Sequence, residues 1–505
     1  MKNRNPLLKS IVGIDSNKEN LKISKISGKI HIDNNWSLAK DSGLCSGFGT
    51  YLDPYIIEDL IIDAGGSGSC IFIENSNIYF KIENCTLYNS GDGFWDAGIR
   101  FVFVTNGQLI NNSCSNNKVG IDIYRSDNNT ILRNIANYNG DYGISMYSSE
   151  YNNVSGNIVK YNPTGMRFTS GINCIIGNIA KDNTYNGIQL SASDHNNISK
   201  NIVNNNANGL DLDGSYYNNI SGNVAIDNIN GIYLDVSDNN TVVENTVSFN
   251  ELFGIRLSSS DYNRILNNTA TYNEWNGIGL SQSFNNTVLR NNVNNNGYGI
   301  TLNEAYDNTI FQNDLKNNGY GFYLSSSNYN KFLGNNVTNN TYGLYLYSCL
   351  SNTFLENTII SNGNGLELKY SNENIIYSNN FFDNSKNVIS QSSSNIWNSP
   401  LKFIYSYNGN NYTNYLGNYY DTYTGVDANN DGIGDISFSI GGDNDSYPLM
   451  SPFENYHIID IDKPTYPQQP ITPWWEIFII ALTFGAPIII MIVGVIFLLR
   501  KRPKD

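Results

Sequence analysis

Gly187-Ile188-Gln189-Leu190-Ser191-Ala192-Ser193-Asp194-His195-Asn196-Asn197-Ile198-Ser199-Lys200-Asn201-Ile202-Val203-Asn204-Asn205-Asn206 is one unit of a repeat that fills most of a 505-residue chain. Thirteen glycines, from Gly98 to Gly365, recur every 22 or 23 residues. A fixed period of this size is the mark of a solenoid. Counted from each glycine, aliphatic residues stand at offsets one and three, as Ile188 and Leu190 do, and again near eleven and sixteen, as Ile198 and Val203 do. Alternation at one and three is the period of a strand with one buried face. Ile, Val, Leu, Tyr and Phe fill these positions and suit a pleated surface. Gly and Asn punctuate them, where the backbone is expected to bend and to need positive φ. Amphipathic helical spacing is absent. The reading is all-β, a parallel β-helix with three short strands per 22–23-residue coil.

Ser at offset six and Asn at nine, fourteen and nineteen fall into rows when coils stack. Stacked Asn side chains can bond one another and the turn backbone, so these rows read as structural. The unit beginning at Gly165 runs one residue short, with Asn178 a place early. A one-residue slip inside a strand would turn its faces over, so the deletion is expected in a turn.

The net charge of −15 and pI of about 4.6 speak against nucleic acid or an anionic membrane surface as partner. With 15% charged residues and 36 tyrosines, the surface must consist largely of Asn, Ser, Thr and Tyr, which suits contact with sugars or protein. No CxxC pair marks a zinc site. Cys114 and Cys349 fall on core offsets. Cys45, Cys70 and Cys85 lie before the repeat, where export would allow two of them to pair. Sequons recur, as at Asn153, Asn197 and Asn219, and the repeat itself generates many of them.

Ile477 to Leu499 carries no charge over a length that spans a bilayer. Trp474 and Trp475 precede it, and Arg500, Lys501, Arg502 and Lys504 follow, which places the tail in the cytoplasm and the solenoid outside the cell. Pro464, Pro467, Pro470 and Pro473 form a stiff stalk before the span. Met1 to Asn20 is polar, so either an export signal lies upstream of Met1 or the topology is inverted; the first is favoured, because inversion would put the basic tail outside. The organisation reads as a polar leader (1–20), an N-terminal cap with the first coils (21–97), regular repeats (98–395), a C-terminal cap (396–460), the stalk (461–473), a transmembrane helix (474–499) and a basic tail (500–505). Within the C-terminal cap, Asp427, Asn429, Asp431 and Asp435 surround Gly432 with the spacing of a calcium loop. Phe438 stands where a bidentate acid would complete it, so the loop reads as either a calcium site or an ion-free turn.

The Gly-Ile-x-Leu-x-x-Ser-x-x-Asn-x-Ile-x-x-Asn unit resembles the right-handed parallel β-helix repeat of NosD-like proteins, within the carbohydrate-binding and sugar-hydrolase β-helices of the pectin-lyase-like superfamily. Gly47 to Glu58 is similar to the usual entry to that helix, and Gly417 to Met450 to its usual exit. The resemblance implies a right-handed β-helix over about residues 21 to 455 and an archaeal type of membrane-anchored surface protein. It would also imply copper delivery to nitrous oxide reductase. The chain departs from that role, since His31, His195 and His457 are far apart and no His/Met/Cys cluster suits copper, so copper is not expected.

By the same resemblance, polysaccharide is expected on outward offsets two and four of the first strand. Asp211, Asp213 and Asp235 should cluster there, with Arg256 one coil beyond Tyr233. Tyr233, Tyr323 and Tyr345 are the candidate ligand-binding residues on this face. Such carboxylates could serve a glycoside hydrolase or, with calcium, a polysaccharide lyase. The plainer reading is a solvated acidic patch. No complete catalytic set is legible, and the expected function is a membrane-anchored extracellular β-helix that binds glycans or surface partners, or builds the envelope.

Overall fold

The computed structural model describes residues 24–459. The polar leader, the stalk, the apolar span and the basic tail lie outside the described residues. Among the described residues no helix is long and apolar enough to cross a membrane. Two compact units are present: 24–402 with 414–456, and 403–413 with 457–459. Apart from Asn414, the second holds a three-stranded sheet of Phe403–Tyr407, Asn410–Asn414 and His457–Ile458.

The first unit is the right-handed parallel β-helix the repeat predicts. Its first-strand sheet stacks sixteen parallel strands, from Ile30–Asp33 to Lys386–Gln391. The second-strand sheet stacks fifteen, from Tyr55–Glu58 to Ile375–Tyr377. The third strands form a four-stranded and a twelve-stranded sheet, joined through single bridges that Ile135 makes to Ser113 and Ile158. Offsets one and three point inward: Ile188, Leu190, Leu210, Leu212, Ile232 and Leu234 are fully buried, and Ile198 and Val203 join them from the other two strands. The short unit at Gly165 keeps its register. Arg167 pairs with Gln189 and Phe168 with Leu190, and Ser170 then donates its N–H to Ser193 Oγ. Ala192, the left-handed residue between Ser191 and Ser193, has no counterpart between Thr169 and Ser170, so the deletion removes one turn residue.

The repeated glycine is where the sequence places it, for a different reason. None of the thirteen has positive φ. Space is what each one provides. A Cβ on Gly231 would lie 2.6 Å from the Gly254 carbonyl oxygen and 2.9 Å from Asn250 Nδ2, and the other twelve meet the next coil in the same way. The left-handed turns fall instead on rows that any residue type occupies, among them His195, Tyr217, Asn239 and Val236. Val236 is β-branched, half exposed, and held at φ 47. Val236→Asn should therefore stabilise the protein by about 1 kcal/mol in denaturant titration, since Asn enters this region at lower steric cost.

Three Asn ladders run the length of the coils. Asn201 donates both its backbone N–H and its Nδ2 to Asn223 Oδ1, at 2.9 and 3.0 Å, and its Nδ2 also donates to the Ile175 carbonyl at 2.8 Å. Asn223 repeats this toward Asn245. Each ladder ends on a carboxylate. Asn418 N–H donates to Asp445 at 2.8 Å, Asn395 N–H to Asp443 at 2.8 Å, and Asn384 reaches Asp421 through Asn387. All six cysteines are free, and the pairing that export would allow among Cys45, Cys70 and Cys85 is not formed.

Candidate functional site

Offsets two and four of the first strand point outward, and the column just before the glycine flanks them. Together they make a face three residues wide along the sixteen-stranded sheet. Strand register fixes its order: in the central column Arg100, Asp122, Ser145, Arg167, Gln189, Asp211, Tyr233, Arg256, Gly279, Thr301, Tyr323, Tyr345 and Glu367 follow in successive coils.

In the middle of this face the structure brings Asp211, Asp213 and Asp235 together. Asp213 stands beside Asp235, and Asp211 beside Tyr233. Outward direction does not mean solvent here. Asp211 is buried, because Asn186 and Asn208 in the flanking column cover it: Asn186 Nδ2 donates to its carboxylate at 2.9 Å and Asn208 Nδ2 at 3.3 Å. Burial, reinforced by the Asp213 and Asp235 charges, pushes the Asp211 carboxyl up to about 6. Arg256 does not close on these carboxylates in an ion pair. Its guanidinium lies over two rings, 4.7 Å from the Tyr233 centroid and 5.0 Å from that of Phe253.

The raised Asp211 has a consequence for stability. Its unfolded value is near 4, so from about pH 4 to about pH 6 the native state holds a proton that the unfolded chain has lost. Stability is therefore full below that window and falls as pH rises through it. Asp211→Asn should flatten that fall by about 2–3 kcal/mol, read from denaturation midpoints on either side of the window.

Tyr323 and Tyr345 lie further along the face, stacked at 5.5 Å. The flanking column adds Tyr298, Tyr320 and Tyr342, which stack at 5.0 and 4.6 Å and meet the first two edge-on. Five tyrosines thus form one terrace. Tyr233 is not part of it, being separated from Tyr323 by the coils of Arg256, Gly279 and Thr301. Beyond Tyr345, Glu367 is buried and takes an ion pair from Lys369 at 2.8 Å.

A cleft near the N-terminal end of the face was not singled out by the sequence. Phe94 and Trp95, in the Gly-rich segment before the first repeat, stand beside Tyr124, and Tyr124 stacks on Tyr147 at 5.6 Å. Opposite, the Tyr142 hydroxyl accepts a hydrogen bond from Arg167 Nη1 at 2.9 Å. Asp122, Ser145 and Arg167 line the floor of a cavity of about 280 Å³. Asp122 is 3% exposed, and burial pushes its carboxyl up to about 6 against the opposing Arg100 charge. Two exposed adjacent aromatics in Gly91-Asp92-Gly93-Phe94-Trp95-Asp96 were the available signal. They precede the first regular unit, so the repeat gave them no offset.

In the C-terminal cap, Asp427, Asn429 and Asp431 come together. Asp427 accepts the N–H groups of Asp431 and Gly432 at 3.1 and 2.8 Å, and Asn429 Nδ2 donates to Asp431 at 3.2 Å. Asp435 closes the loop by accepting Ala428 N–H at 2.7 Å. Gly432 takes φ +86.

Among solved structures the chain is similar to the Azotobacter vinelandii mannuronan C-5 epimerase AlgE4 A-module, at 14% identity over 73% of this chain and 96% of that one, with a TM-score of 0.39. It is similar to a double mutant of the periplasmic alginate epimerase AlgG, at 15% identity over 69% and 84%, TM-score 0.40. It is also similar to tailspike protein 3 of bacteriophage CBA120, at 11% identity over 72% and 58%, TM-score 0.30. None of these likenesses bears on activity. No curated protein matches the chain. The family described as periplasmic copper-binding protein (NosD) matches at residues 14–179, 81–228, 170–319 and 275–425, through the whole of the repeat, and the chain belongs to that family.

Proposed function

We propose that this protein is a membrane-anchored extracellular β-helix that binds glycans along the outward face of its first-strand sheet. The observation that carries this reading is the terrace of Tyr298, Tyr320, Tyr342, Tyr323 and Tyr345. Flat rings with polar tips stack on the C–H faces of sugars and bond their hydroxyls, at low conformational cost. The apolar span and basic tail support the anchor and its orientation. Copper is no part of the proposal: His31 is bonded to Glu74, and His195 is stacked on Tyr217.

Affinity electrophoresis against a panel of neutral and acidic polysaccharides tests the reading. At least one polysaccharide should retard the protein, and Tyr323→Ala or Tyr345→Ala should weaken that binding by about tenfold each. Unchanged migration against the whole panel would sink it. Calcium is proposed for the 427–435 loop on its spacing, to stiffen the cap. The same measurement, with a melting curve in calcium and in chelator, reports on it, and identical curves would remove calcium from the account.

A second reading, a glycoside hydrolase or polysaccharide lyase, is favoured by one observation. Asp211 is a carboxyl raised to about 6 beside Asp213 and Asp235, which suits a general acid. Product release from the bound polysaccharide that disappears in Asp211→Asn would establish it.

A further inference from the structure

The cleft at the N-terminal end of the face is a separate site, and nothing in the terrace accounts for its construction. Its floor runs over three successive coils, Asp122, Ser145 and Arg167, with an acceptor at one end and a donor at the other. Its walls are aromatic, Trp95, Tyr124 and Tyr147 on one side and Tyr142 on the other. Asp122 Oδ2 has no hydrogen-bond partner although the residue is nearly fully buried. The nearest cation, Arg100 Nε, lies 3.6 Å away and is likewise unbonded. Its guanidinium rests between the Phe72 and Trp95 rings, 5.4 and 5.5 Å from their centroids. A buried oxygen left without a donor is costly, and the carboxylate that carries it belongs to a residue lining the cavity.

The chemistry of the walls and floor narrows the ligand. An anion would meet Asp122 and Asp141, which both line the cleft. An organic cation would meet Arg167 on the floor and Arg100 behind it. A neutral ring with apolar faces and hydroxyl edges satisfies both ends: its C–H faces lie against the aromatic walls, one hydroxyl donates to the Asp122 carboxylate, and another accepts from Arg167. A volume of about 280 Å³ is small for a ligand pocket and holds one such ring. The geometry points to a binding pocket for a single neutral pyranose unit, formed by Trp95, Tyr124, Tyr142, Tyr147, Asp122 and Arg167. The inference extends the glycan-binding reading to a second, discrete subsite at the other end of the same face.

Methyl pyranosides of glucose, mannose, galactose and N-acetylglucosamine are the probes. The detergent-solubilised full chain is labelled with 5-fluorotryptophan, and the Trp95 resonance is identified by its loss in Trp95→Phe. That resonance should shift and saturate with at least one pyranoside in the millimolar range. Asp122→Asn should weaken the titration by about tenfold, since a hydrogen bond to a charged group is lost. Tyr147→Ala, at a half-exposed wall position that leaves the core intact, should weaken it similarly, while Tyr323→Ala should leave it unchanged. A Trp95 resonance that stays still with all four sugars overturns the proposal. So does an unchanged titration in both Asp122→Asn and Tyr147→Ala. If the terrace binds no polysaccharide and the cleft still takes its pyranoside, the terrace reading alone fails. If polysaccharide binds and the Trp95 resonance never moves, the cleft alone fails.

Discussion

Gly231→Ala is expected to destabilise the β-helix by more than about 3 kcal/mol, although it adds a single methyl group. The added Cβ would sit 2.6 Å from the Gly254 carbonyl oxygen and 2.9 Å from Asn250 Nδ2. The first contact is backbone in the next coil, so no side-chain rotation relieves it. Moving the coils apart would stretch the pairing of Asn230–Asp235 with Phe253–Ser258 and the Asn228–Asn250 rung together. In a stacked repeat each coil is stabilised through its neighbours, so one damaged interface weakens both sides. Gly177 provides the contrast. It is in the left-handed region at φ +65 with nothing within 4 Å of its Cβ position. Gly177→Asn should cost less than about 1 kcal/mol, because Asn is the residue best suited to that region after glycine. Denaturant midpoints of the two variants measure the difference directly. Equal midpoints would mean that the glycine row is not set by coil spacing.

Asn223→Ala is the second change expected to be severe. The lost carboxamide leaves the Asn201 N–H and one Asn201 Nδ2 hydrogen without their acceptor, and the Ile198 carbonyl without its donor. All three groups lie in the interior, where no side chain replaces the partner. At about 1–3 kcal/mol for each buried orphan, the loss is about 3–9 kcal/mol before any cavity is counted. Thr241, a half-buried strand neighbour of Asn219, offers a control. Thr241→Ala touches none of the ladder bonds and should shift the midpoint little. Hydrogen exchange would place the damage. The amide of Asn201 should lose protection first, because its acceptor is the atom removed.

The sequence made the coil legible because a period-two pattern needs no knowledge of neighbours. Ile188 and Leu190 had to be inside, and they are. Features that depend on the adjacent coil were read less well. The glycine was located correctly but assigned to bending, since close approach between coils leaves no trace in one unit. The left-handed rows hold His195, Tyr217 and Val236 as readily as Asn, because the bend of the coil dictates them rather than residue type. Asp211 looked solvated from its offset, and its burial comes from Asn186 and Asn208 one column over. Of the candidate residues, the three aspartates do cluster and Tyr323 pairs with Tyr345, while Tyr233 and Arg256 form a ring–cation contact of their own. The cleft escaped because half of its wall, Phe94 and Trp95, precedes the first regular unit.

The Asn ladders also have a direction. Along each ladder Oδ1 accepts from the N-terminal coil while the backbone N–H and one Nδ2 hydrogen donate toward the C-terminal one, as from Asn201 to Asn223 and from Asn223 to Asn245; the second Nδ2 hydrogen turns back to a carbonyl of the preceding coil. The carboxamide dipoles therefore add head to tail along the axis, as peptide dipoles do in an α-helix, and chains of bonds so aligned polarise one another. The C-terminal end of each column is its donor end and carries partial positive charge. Asp445, Asp443 and Asp421 stand at those ends. Each accepts the last donor of its column, as a capping side chain accepts at a helix N-terminus. They terminate electrostatically a column that could otherwise accept another coil, or another copy of the chain.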